Sequence, residues 1–515
     1  MMNKKKLRFI PASLVIVMMV VLMMACSNSG SKEGSNGNAA GEQGNAEAVL
    51  PLRYVIPGTA KPHSDEVVSK VNEKLQADGV NVKLELKYIP WDAWDQKTNL
   101  MLSTGEEFEM IHVMENGSVP TGSYVGRGAL QPLDELIDQY GPELKKIIPD
   151  YAWEAAKING KIYSVPAVWR YETSGSGEMG TLGYRKDLLE KVGLPFPNTA
   201  EEMIATAEKM QQAAGKKLYI QTETDGSPVF LHRTYEAWPF YVDYRDQIIK
   251  VDQQGNVSSW LESEEFKKDA DFFRQLYEKK LINPDILTYK KEERDKAMTL
   301  GDFIYSTNGA LYSSIAIAKN NPTAKIAEDY LSAEKPLLQY LAFGNTNAVP
   351  ATAEHPEAAI KFLNWLYSNK DNHNLFLYGE EGTHYKAVGE RTADFIRDAN
   401  DQSYYFDSWM IGNINYMLFD VKTPEDYLKM QTTEPTNPVE FSPVLGFRLN
   451  TEPIAVEYAN VLSEVKSKII PIKMGVQPYD KFFPAALESL KAAGLDKVID
   501  EYKNQFAEFQ AAQKK

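Results

Sequence analysis

Cysteine is all but missing from this chain: 515 residues hold one, Cys26. A single thiol excludes any disulfide within the chain, so stability must come from burial and hydrogen bonding. Nucleophile and metal motifs are missing too. There is no H-E-x-x-H and no G-x-S-x-G, and the six histidines (His63, His112, His232, His355, His373 and His384) are scattered singly. No metal site and no cofactor are expected from this spacing. Beyond residue 26 no apolar run is long enough to read as a membrane span. Positive charge is scarce: 56 Lys and Arg stand against 71 Asp and Glu, a net −15. Four of the basic residues lie in the first 25, which leaves the rest near −19. That balance excludes nucleic acid as a partner and favours solubility.

What the chain does have begins at its start. Lys4, Lys5, Lys6 and Arg8 precede an apolar run over 14–24, too short to span a bilayer and suited to a signal peptide over 1–25. The stretch Leu22-Met23-Met24-Ala25-Cys26 reads as a lipobox, with Met23 where Leu is usual and Cys26 as the lipid-attachment residue. Residues 26–49 are dominated by Ser, Gly, Asn, Ala and Glu and lack aromatics. They cannot bury enough apolar surface to offset the entropy of ordering, and read as a tether reaching about 25 Å. The expected location is the extracellular face of the cell membrane.

The folded part opens with a strand over Leu52 to Ile56, closed by Pro57-Gly58. A helix follows, with Ser64 as its expected cap and Val67, Val68, Val71 and Leu75 at helical spacing. Val82, Leu84, Leu86 and Tyr88 alternate along a second strand. A helix from about Trp91 and a third strand over Phe108 to Val113 complete a β-α-β-α-β order, which predicts a parallel sheet in an α/β domain. Ligands of such sheets sit beyond the carboxyl ends of the strands. The residues there are Gly58-Thr59, Pro90-Trp91-Asp92 and Met114-Glu115-Asn116. Thr199 and Glu202 form a capping box for a helix stopped by Gly215. Gly175 to Gly180 matches G-x-G-x-x-G, but an apolar strand follows it where a nucleotide site needs a helix.

The aromatic residues are more informative. Trp91, Trp94, Trp169, Tyr171, Trp238, Tyr305, Tyr312 and Trp409 fall at or near predicted strand ends and loops. Asp92, Asn116, Arg170, Glu223, Arg233 and Asn308 lie close to them in sequence. Sugars present flat C–H faces that stack on rings, and hydroxyls that need amides, carboxylates and guanidinium groups. Core packing explains any one aromatic equally well; as a group they favour a wet, amphipathic ligand. Acid pairs such as Asp92 with Asp95 and Glu380 with Glu381 would suit glycoside hydrolysis only if two carboxylates faced each other.

The blocks Trp91-Asp92-Ala93-Trp94-Asp95-Gln96-Lys97, Ser103 to Glu109, Trp153 to Pro166 with its N-G-K-x-Y-x-V-P hairpin, Gly379 to Tyr385 and Leu490 to Val498 resemble one family. The chain is similar to extracellular solute-binding lipoproteins of bacterial ABC importers, in the LipO/LplA-like group that ends in a DUF3502 domain. The resemblance implies an α/β, two-lobed periplasmic-binding-protein-like fold (type II) with hinge crossings near 168–171 and 306–308. It implies lobe one over 50–168 and 309–370, lobe two over 172–303 and 371–445, and a C-terminal DUF3502-like domain over 446–515. By position, the ligand-binding residues would be Trp91, Asp92 and Asn116 in lobe one, Trp169, Arg170, Tyr171 and Asn308 at the crossings, and Glu223, Arg233, Tyr235 and Trp238 in lobe two. The implied function is that of a monomeric, non-enzymatic receptor. It would capture an oligosaccharide in the cleft and deliver it to an ABC transporter permease. The alternatives are a receptor for a peptide or other non-sugar solute, or a surface carbohydrate-active hydrolase.

Overall fold

A computed structural model describes residues 48–513, apart from 116–119, 168, 170–179, 225–227, 244–245, 308, 341–342, 397–403 and 433–437. The signal peptide, Cys26 and most of the tether lie outside the described residues, as do Asn116, Arg170, Tyr171, Asn308 and the G-x-G-x-x-G run up to Met179. No described helix is long and apolar enough to cross a membrane.

Two sheets organise the chain. The first is built from β1 (Leu50–Pro57), β2 (Val82–Ile89), β3 (Met110–Met114) and β4 (Ser164–Ala167). The second begins with β5 (Leu182–Arg185), β6 (Tyr219–Gln221), β7 (Phe303–Ser306) and β8 (Ile326–Asp329). A late strand, β9 (Asn345–Ala348), returns to the first sheet. The orders are β2-β1-β3-β9-β4 and β8-β5-β7-β6. β1 pairs in parallel with β2 and β3, as their alternation predicts. β9 runs antiparallel between β3 and β4, so the sheet is mixed where a parallel one was expected.

The pleat sends Leu52, Tyr54 and Ile56 to one face, under the helices Ser64–Ala77 and Pro356–Ser368. It sends Val55 to the other, where Ile89, Phe108 and Ile111 meet the helix Trp94–Thr104. Both faces of this sheet are therefore covered, the condition that lets parallel strands form. Ser64 does not cap its helix. His63 takes the cap position with φ 64°, and the Ser64 hydroxyl accepts the Lys61 N–H at 3.0 Å. Thr199 does cap, accepting the Glu202 N–H at 3.2 Å, and Gly215 ends that helix at φ 68°.

The second core joins Leu182, Ile220, Ile304 and Tyr305 of the second sheet to Trp260 and Phe266. It continues without a break into Val461, Leu490, Val498, Tyr502 and Phe506 of the C-terminal helices. Packing departs from the expected division in two places. β8 pairs with β5 of the second sheet, although 309–370 was assigned to lobe one. Helix Lys370–Tyr378 and Tyr404, Phe406, Met410 and Ile411 pack in the first core, although 371–445 was assigned to lobe two. Arg448, from the C-terminal segment, reaches the other way. Its Nε donates to Glu115 Oε2 at 3.2 Å, just beyond β3, and Thr121 holds the other carboxylate oxygen.

Candidate functional site: a tryptophan platform and a charged pocket

At the carboxyl end of β1 the chain turns through Gly58, whose φ of 107° suits a residue without Cβ. Beside it, after β2, a 3₁₀ turn over Trp91–Ala93 lifts Trp91 out of the surface. Trp91 is 52% exposed, a high value for the largest apolar side chain. It is stacked on half-buried Trp409, with ring centroids 5.9 Å apart and planes 27° apart. The loop that carries Trp409 is anchored by Phe406 against Tyr54 and by Asn347, whose Nδ2 donates to the Met410 carbonyl at 3.1 Å. His112 on β3 meets the edge of Trp409 at 5.4 Å. Burial pushes the His112 pKa down to about 3, so the ring is neutral and adds no charge at physiological pH. Asp92 is exposed at the rim. Asp407 faces Lys61 at 3.8 Å, and burial nonetheless raises its pKa above the usual carboxylate range.

The second sheet has its own concavity beyond the carboxyl ends of β6 and β7, a cavity of about 330 Å³. Gln221, Thr222, Glu223 and Ser306 line it from the strand ends, and Lys291, Arg294 and Asp295 line it from the helix Lys291–Thr299. Glu223 and Arg294 form an ion pair at 2.5 Å, and Lys291 pairs with Asp295. Thr307 Oγ1 donates to Thr222 Oγ1 at 3.3 Å.

The other expected contacts are placed differently. Arg233 is fully buried and donates to the carbonyls of Leu331, Ser332, Lys335 and Pro336, with its guanidinium 4.7 Å from the centre of the Tyr330 ring. Tyr235 is buried too and donates to Asp269 Oδ1 at 2.6 Å, and His232 binds the other oxygen at 2.9 Å. Trp238 is half-buried and donates to the Pro336 carbonyl at 2.9 Å. Arg233 and Trp238 clasp residues 331–336 onto the second core, and Arg233 and Tyr235 present no surface to a ligand. Trp169, stacked on Tyr367 at 5.7 Å, is 6% exposed and belongs to the first core. Trp94 and Tyr305 are core residues as well. Trp91, Asp92 and Glu223 remain accessible, and Trp409 and Arg294 join them. Trp409 stood among the loop aromatics; Arg294 gave no signal, because it lies in a charge run that reads as a solvated helix face.

His63, Glu66 and His384 bring three metal-ligating side chains within 4.8 Å of one another. His384 Nδ1, however, accepts the Glu380 N–H at 3.0 Å. The neutral ring then carries its proton on Nε2 and has no lone pair free for a cation.

The family profile of bacterial extracellular solute-binding proteins matches residues 60–373. The chain belongs to that family. A second profile, a domain of unknown function (DUF3502), matches residues 443–511 of this solute-binding protein. Among similar curated proteins is a carbohydrate ABC transporter substrate-binding protein of Streptococcus pneumoniae, 23% identical over 99% of both chains. The fructooligosaccharide ABC transporter substrate-binding protein FusA of the same organism is 27% identical over 37% of each chain. The crystal structure of the S. pneumoniae N-glycan transport solute binding protein NgtS superposes with a TM-score of 0.72 at 19% identity, covering 89% of this chain and 99% of that one. FusA in complex with kestose superposes at 0.60 with 16% identity, over 90% and 100%. These likenesses establish the two-lobed solute-binding fold.

Proposed function

We propose that this solute-binding protein captures an oligosaccharide between its lobes and hands it to an ABC transporter permease. The observation that carries the reading is Trp91. A stacked, half-exposed indole at the carboxyl edge of a sheet offers a flat apolar face to the C–H side of a sugar ring. The pocket at the corresponding edge of the second sheet offers carboxylate, guanidinium, amide and hydroxyl groups to sugar hydroxyls. A ligand touching both lobes favours the closed form, because only differential affinity shifts that equilibrium. The carbohydrate-importer name of the full-length pneumococcal relative supports the same class. No reaction is assigned: the receptor binds and releases, and the energy of transport belongs to the permease complex. Lipid attachment at Cys26, the tether over 26–49 and a monomeric state complete the proposal.

The test is a thermal-shift screen against plant and microbial oligosaccharides, followed by titration calorimetry. A ligand of the folded state at a hundredfold excess over its Kd stabilises by about 2.7 kcal/mol. A rise in Tm with one sugar class is the expected result. Shifts with peptides and none with sugars would replace the reading by that of a peptide receptor, and substrate turnover over hours would make the protein an enzyme.

A further inference from the structure

The pocket of the second sheet bears on which sugars are accepted, a selectivity that rests on the carbohydrate reading of this receptor. Among the described residues, each charged side chain lining the pocket stands in an ion pair with another: Glu223 with Arg294, and Lys291 with Asp295. The Glu223 and Arg294 side chains are 29% and 16% exposed, so water screens them incompletely and an added charge would be felt. We infer that the receptor selects uncharged oligosaccharides, and that the Glu223–Arg294 pair reads neighbouring hydroxyls of a sugar while rejecting uronates.

The chemistry comes from the donors and acceptors. A hydroxyl both donates and accepts. Two adjacent ones can donate to the carboxylate and accept from the guanidinium while the pair stays intact, and both bonds are charge-assisted. A uronate carboxylate only accepts. To use Arg294 it must sit beside Glu223, which sets two carboxylates on one guanidinium in a partly dehydrated site. The platform reinforces this preference. Asp92 is exposed at its rim, and the nearby cation Lys61 is held by Asp407 and by the Tyr405 hydroxyl at 3.1 Å. The net charge of −15 also repels anions before they arrive.

The experiment is calorimetric titration of the full chain with matched tetrasaccharides that differ only at C6, hydroxymethyl against carboxylate. The pairs are β-1,4-mannotetraose with tetramannuronate, cellotetraose with tetraglucuronate, and α-1,4-galactotetraose with tetragalacturonate. In any pair that binds, the neutral member is expected to be at least about tenfold tighter. Glu223→Gln frees Arg294 and is expected to shrink or invert that ratio. Arg294→Gln is expected to weaken the neutral member without improving the uronate. Both side chains are partly exposed, and an unchanged Tm of each unliganded variant separates lost recognition from lost folding. A uronate that binds the wild type as tightly as its neutral partner overturns the inference. So does a Glu223→Gln variant whose ratio equals that of the wild type. A panel with no binding in either series overturns the carbohydrate reading itself, and the selectivity falls with it.

Discussion

The two sheets end in surfaces of opposite chemistry. Beyond the first lies an indole stacked on an indole, above a histidine kept neutral by burial. Beyond the second lies a pocket in which each charged side chain among the described residues has its counter-charge. Stacking rewards shape and is tolerant of which hydroxyl points where. Paired charges reward the arrangement of hydroxyls and are intolerant of an added charge. A ligand that satisfies both halves needs a flat apolar face at one end and well-placed hydroxyls at the other, a description that fits a chain of sugars better than one small ring.

Four substitutions or conditions would break or sharpen this contrast. The largest effect is expected behind the second surface. Arg233→Met removes the donors to four carbonyls and should destabilise by about 3–5 kcal/mol, measured by urea unfolding. If stability were unchanged, the clasp over 331–336 would not support that half. Next, Trp91→Ala should weaken ligand binding by about 2 kcal/mol with little change in the Tm of the free protein, since the ring is half in solvent. Equal affinity for variant and wild type would remove the platform from the comparison.

The third effect is one of pH. His112 has a folded-state pKa of about 3, below its ordinary value, so the unfolded chain binds more protons between the two. Stability is then fully present above about pH 6.5 and falls by about 1.4 kcal/mol for each pH unit below it, down to about pH 3. His373, at about 4 through burial, adds to the same trend. Urea midpoints from pH 7 to 5 should decline, and His112→Gln should make the decline shallower. Smallest is Thr199→Ala, which loses a helix cap on the second lobe at about 1 kcal/mol and leaves ligand affinity unchanged. A change in affinity there would mean that the pocket depends on the whole lobe rather than on its rim.

The first sheet was legible because its strands carry their own pattern: β1 and β2 alternate, and the helix after β1 repeats Val67, Val71 and Leu75 on its buried face. β9 was not, because Asn345-Thr346-Asn347-Ala348 has no apolar alternation at all. It is buried on the strength of distant partners. Asn347 accepts from the Tyr54 hydroxyl at 2.5 Å and donates to Met410, and Thr346 donates to the Val165 carbonyl at 2.8 Å. Such satisfaction is invisible until the chain has folded. The candidate site divides in the same way. Trp91 follows a strand and could be placed by position. Arg233 and Tyr235 had the right chemistry in the right stretch but turned inward, where a loop needed donors. Arg294 sat unnoticed among Lys290, Lys291, Glu292, Glu293 and Asp295, since a run of mixed charge usually means nothing more than solvent.

The contact between Arg448 and Glu115 gives the C-terminal helices a mechanical meaning. They are fused to the second core, yet one side chain from the segment leading into them ends on the first, on a carboxylate 6% exposed with both oxygens engaged. If ligand binding closes one half on the other, this joint must lie near the axis or give way. In the first case it acts as a pivot pin, confining the swing to one arc; in the second it acts as a catch that sets how much ligand contact is needed before the jaws shut.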